Sequence, residues 1–148
     1  MAFHFPLESV FHFRQSVEHQ QELRLRAANQ QVARARHLIE HLDQQIATER
    51  SRQAQHLAAG MTSAELRFSL FSEAALQDLR RTAQQELLRL QALCDQQQRI
   101  FRQARRERET FESLRNRIRR EYERDQNRRE QRQLDEMFLL RQANLRRG

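Results

Sequence analysis

Gly60, Gly148 and Pro6 are the only glycines and prolines in 148 positions. Tight turns, hairpin strands and phosphate-cradling loops draw on those two residue types for backbone geometry that other residues resist. A chain this poor in them has few places to change direction. Between Leu7 and Leu57, and again after Gly60, the sequence is rich in Arg, Gln, Glu, Leu and Ala, all good helix formers. The pattern predicts an all-α chain of two helices, over roughly 6–58 and 63–145 with a hinge at 59–62, forming a single coiled-coil domain over 1–148.

Hydrophobic residues make up 38% of the chain and charged residues 32%, too little apolar side chain for an ordinary globular core. A narrow buried seam is the alternative, and helix one carries it in Leu25, Ala28, Val32, Ala35, Ile39, Leu42 and Ile46, whose spacings alternate three and four as in a coiled coil. Upstream, Leu7, Val10, Phe11 and Val17 continue an apolar face, but Arg14 and Gln21 intrude at the same phase, which predicts looser pairing there. The seam of helix two runs through Ala83, Leu87, Leu90, Cys94, Gln97, Phe101, Ala104, Arg108 and Phe111, with Ile118 and Tyr122 carrying it on. Cys94 therefore reads as a small buried hydrophobe. Before that seam, Leu66, Phe68, Leu70, Phe71, Ala74, Leu76 and Leu79 are apolar on more than one face, more than a two-stranded seam consumes.

Gly60 is placed to take the left-handed conformation that ends a helix, and Thr62 with Glu65 three residues later forms a capping box. So short a connection makes the helices antiparallel neighbours, with their seams satisfying each other inside one chain and predicting a monomer. At about 1.5 Å per residue the helices would be about 75 Å and about 120 Å long. Helix one is then exhausted opposite roughly residue 115, leaving the stretch beyond Leu114 as a single helix. Leu134, Met137, Phe138 and Leu140 in that overhang have no evident intrachain cover and form a candidate docking face.

All 27 basic residues are Arg, which codon bias or a demand for bidentate ion pairs with carboxylates would both produce. From Arg99 to Gly148, 16 Arg face 9 Asp and Glu, a surplus of 7 that equals the net charge of the whole chain. Clustered Arg rewards phosphate binding, yet these carboxylates are interleaved with it and the aromatics fall on the seam instead of forming a stacking platform. Nucleic acid is therefore not the expected partner. No Gly-rich loop exists to hold a nucleotide, and His37 with His41 is a helical pair lacking a third ligand. The carboxylates lie among Arg on exposed faces with nothing to perturb them, so the chain reads as non-enzymatic, with no cofactor or metal. One cysteine, no basic leader and no long apolar run predict a reduced, cytoplasmic protein.

The opening Phe5-Pro6-Leu7-Glu8-Ser9-Val10-Phe11 with Arg14 and Glu18, the hinge Gly60-Met61-Thr62, and the end Arg129-Glu130-Gln131-Arg132-Gln133-Leu134-Asp135-Glu136 together resemble the FliJ family. The family patterns are F-x-L-x-x-V-L-x-x-R-x-x-x-E, G-[IM]-[TS] and E-Q-K-x-L-D-E, the last with Arg here for Lys. The resemblance spans the chain and implies an antiparallel coiled-coil stalk in the pore of the hexameric flagellar export ATPase, promoting hydrolysis. It further implies contact with the export-gate membrane protein, recycling of export chaperones, and peripheral association with the inner-membrane export apparatus. The family's gate-contacting surface on the hinge-proximal half would fall on Leu42, Leu76 and, less closely aligned, Phe71. Arg129, Leu134, Met137 and Phe138 are the matching expectation for a C-terminal contact. Two alternatives share these features: the related stalk protein of a virulence-type secretion system, and an Arg-rich nucleic-acid-binding coiled coil. A coiled-coil spacer with no dedicated machine is a third.

Overall fold

The computed structural model describes residues 2–148. Two helices, α1 (Glu8–Ala59) and α2 (Ser63–Arg147), pack on each other as a helical hairpin, with no strand among the described residues. Gly60 stands between them at φ +98°, a conformation that costs other residues a Cβ clash. The capping box forms in both directions: the Glu65 N–H donates to Thr62 Oγ1 at 3.2 Å, and the Thr62 N–H donates to Glu65 Oε2 at 3.3 Å. At the other end Pro6 lies in the turn before α1 instead of opening it. The Glu8 N–H donates to the Phe5 carbonyl at 3.1 Å, and regular helix begins there.

Contacts group the chain into two units, one of His19–Arg102 and one of the residues up to Glu18 with Gln103–Gly148. In the first, which contains the hinge, Val32, Ala35, Leu42 and Ile46 of α1 and Ala83 and Ser69 of α2 are buried. Leu25, Ala28, Ile39, Leu66, Leu76, Leu87, Leu90, Cys94 and Gln97 are half-buried, so the heptad read from sequence is the buried stripe. The Cys94 thiol donates to Asn29 Oδ1 at 3.0 Å, the Arg50 guanidinium meets Glu73 at 2.7 Å, and Arg80 pairs with Asp43. As numbers rise along α1 their partners fall along α2, which makes the pairing antiparallel.

In the second unit Phe5, Phe11 and Ala104 are buried and the seam turns ionic. Arg14 meets Glu107 at 2.5 Å, Glu18 meets Arg108 at 2.6 Å and Glu8 meets Arg115 at 3.0 Å. The polar residues at seam phase, expected to loosen the pairing, find partners across it. Arg14 of this unit finds a carboxylate across the seam, and Gln21 of the first unit accepts from the Gln97 amide at 2.7 Å. The pairing also runs further than helix length predicts. Phe3, ahead of α1, sits 5.6 Å from Tyr122 between ring centroids, because the extended residues before the helix reach beyond its first turn.

Candidate protein-binding surfaces

The seven residues expected to bind partners divide between the units. In the hinge unit, Leu42 is buried at 6% exposure, Leu76 is half-buried, and Phe71 stands 74% exposed. Leu42 is thus a seam residue whose side chain the fold already covers, while Phe71 and Leu76 remain reachable. Phe71 belongs to a larger exposed set with Phe68, Leu70 and Leu79. Phe68, Phe71, Ala75 and Leu79, spaced three, four and four, share one face of α2, away from the stripe of Leu66, Ser69, Leu76 and Ala83 that meets α1.

Two grooves flank this region. One of about 420 Å³ is lined by Arg52, His56, Met61, Ala64, Glu65, Phe68 and Ser69. The other, of about 450 Å³, is lined by Leu76 with His41, Gln44, Gln45, Thr48, Glu49 and Arg52. Glu49 links them: the Ser69 hydroxyl donates to its Oε1 at 2.8 Å, and Arg52 pairs with it at 2.9 Å. The Ser69 bond first, and Arg52 after it, hold the Glu49 carboxyl below its ordinary value by favouring the charged form.

In the terminal unit, Arg129, Leu134, Met137 and Phe138 lie where every residue from Asn127 onward is exposed. Leu134, Met137 and Phe138 are each more than 60% exposed, as are Leu139, Leu140 and Leu145. Leu139 and Leu145 extend the cluster beyond what sequence singled out. Their signal was present in the lack of any α1 segment left to cover them. Arg129 has no carboxylate partner among the described residues. Closer to the seam, hydrogen bonding to Glu18 raises the Arg108 guanidinium above its ordinary value, with Glu112 and Glu109 adding to the effect.

These surfaces offer side chains for contact. Among the described residues no group of three or more His, Cys, Asp or Glu is arranged to hold a metal ion. His37 sits against Glu40 at 3.6 Å and is 80% exposed. No helix among the described residues is long and apolar enough to cross a membrane.

A family model described as flagellar FliJ protein matches residues 3–148. The chain belongs to the FliJ family. No individual curated protein and no solved structure matches it. Membership makes this a flagellar, export-related protein of a non-catalytic family, and the match includes both the hinge surface and the exposed end of α2.

Proposed function

We propose that this FliJ chain acts as a cytoplasmic stalk of the flagellar export apparatus: the exposed end of α2 engages and stimulates the export ATPase ring, and the hinge-side surface contacts the export gate and export chaperones. The observation that carries this reading is the run from Leu134 to Leu145, whose large apolar residues are each more than 60% exposed. Monomeric soluble proteins rarely leave such side chains contiguous unless a partner covers them. In a family of flagellar proteins, the export ATPase is the partner the resemblance supplies.

At the hinge, Phe71 and Leu76 are the accessible residues on which gate contact would rest, while Leu42 is covered in the seam. The reading is tested by titrating the purified export ATPase with the full chain, with a chain ending at Tyr122, and with the triple variant Leu134→Ser, Met137→Ser, Phe138→Ser. Helicity of each is checked by circular dichroism. Stimulation of hydrolysis is expected from the full chain and lost in the other two. Equal stimulation by all three would remove the ATPase contact from this segment.

A further inference from the structure

The terminal unit carries a second chemistry that its apolar end does not explain. In α2 between Gln103 and Arg128, five Arg residues are consumed by carboxylates of the same chain: Arg105 with Glu109, Arg108 with Glu18 and Glu112, Arg115 with Glu8, Arg119 with Glu123, and Arg128 with Asp125. Four others, Arg106, Arg117, Arg120 and Arg124, are exposed and have no carboxylate partner among the described residues. Their separations of 11, 3 and 4 positions keep them within roughly 60° of one another at 3.6 residues per turn, in a row about 27 Å long. Thr110 and Ser113 fall on the same line, so its centre is polar and uncharged. The row lies away from the side of α2 where Phe111, Ile118 and Tyr122 are half-buried.

We infer that this row is a docking face for an acidic helix of a partner protein, one whose Glu or Asp residues recur at matching helical spacing. The inner side of the same helix shows the chemistry at work, since Arg108 and Arg115 hold α1 through Glu18 and Glu8. A guanidinium is a planar fork suited to bidentate carboxylate pairing, and a helix can present carboxylates in a row as α1 does. A bilayer fits less well. Anionic lipid binding gains from apolar insertion beside the cations, and no large hydrophobic residue between Ile100 and Leu134 is exposed. Nucleic acid also fits less well. No exposed aromatic lies along the row to stack a base.

The test uses the full chain and a synthetic, fluorescently labelled Ala-based helical peptide bearing four Glu at the complementary spacing. A scrambled peptide of equal charge and helicity serves as control. Chemical-shift perturbation and anisotropy at low salt should show the registered peptide binding on the order of tenfold tighter than the scrambled one, because exposed pairs are individually weak and additive at best. The variant R106Q/R117Q/R120Q/R124Q should lose that preference, whereas R105Q/R119Q, which removes two internally paired Arg, should retain it. Equal binding of the two peptides would overturn the inference. So would tighter binding to single-stranded RNA or to phosphatidylglycerol vesicles than to the registered peptide, with loss in the quadruple variant.

Discussion

The layer formed by Glu18 and Arg108 gives the sharpest quantitative test of how this seam is held. Their side chains are each 19% exposed and meet at 2.6 Å, with Arg108 also reaching Glu112. Both charges are largely withdrawn from water at positions where a coiled coil ordinarily places apolar residues. Removing Glu18 alone, as Glu18→Leu, takes away a charge-assisted hydrogen bond of about 1.5–3 kcal/mol. Arg108 keeps Glu112, so a loss of about 1–2 kcal/mol is expected from this variant. Arg108→Leu is expected to cost more, about 2–4 kcal/mol, because it leaves Glu18 without its partner in a mostly covered position. Replacing both with Leu converts the layer to an apolar one and should bring stability back to the wild-type level or above it. Urea denaturation followed at 222 nm for the four proteins yields the coupling energy directly, about 3 kcal/mol or more on this reasoning. A coupling below about 0.5 kcal/mol, the usual additivity error, would show the pair to be a surface contact, and the argument that the terminal seam is held by ionic layers would fail.

Leu42→Ala should lower stability by about 2–5 kcal/mol, whereas Phe71→Ala, 74% exposed, should stay within about 0.5 kcal/mol; thermal melts of the two distinguish a seam residue from a contact residue. Gly60→Ala should cost about 1–2 kcal/mol because φ +98° is strained for any residue with a Cβ, even though nothing lies within 4 Å of where that Cβ would go, and an unchanged denaturation midpoint would refute this. For Glu49, a folded-state value below the ordinary 4.5 means that its contribution is present above pH 4.5 and is lost as pH falls through the lowered value. Ser69→Ala should therefore flatten the fall in stability below pH 4.5, and acid titrations of equal slope for the two proteins would count against the Ser69 bond as the main cause.

The fold was legible because a coiled coil announces itself in periodicity. Val32, Ala35, Leu42 and Ile46 are buried at the positions where spacing of three and four put them, and the Thr62 to Glu65 capping box closes as its motif implies. Two features were not legible, for one reason. Arg14 and Gln21 looked like defects because a one-strand reading cannot see what faces them; the fold supplies Glu107 to the first and Gln97 to the second. The reach of the pairing to Tyr122 was hidden likewise, since Phe3 and Phe5 precede any helix and helical rise says nothing about where extended residues go.

The same distinction separates the candidate binding residues. Leu76 and Phe71 are alike in sequence, apolar residues in a segment apolar on more than one face, and only packing shows one half-buried and the other open. At the end of α2 no such ambiguity arises: from Asn127 onward every residue is exposed, so any apolar side chain there is available for contact. A helix with so little tertiary cover draws only on weak local pairs such as Arg128 with Asp125 at 3.9 Å and Gln131 with Asp135 at 3.1 Å, and isolated helices are marginal in water. The end of α2 should therefore exchange its amide hydrogens far faster than the seam around Leu42. Protection rising selectively over Leu134 to Leu145 on addition of the export ATPase would locate the contact. Unchanged exchange in that segment at saturating ATPase would count against the proposed contact there.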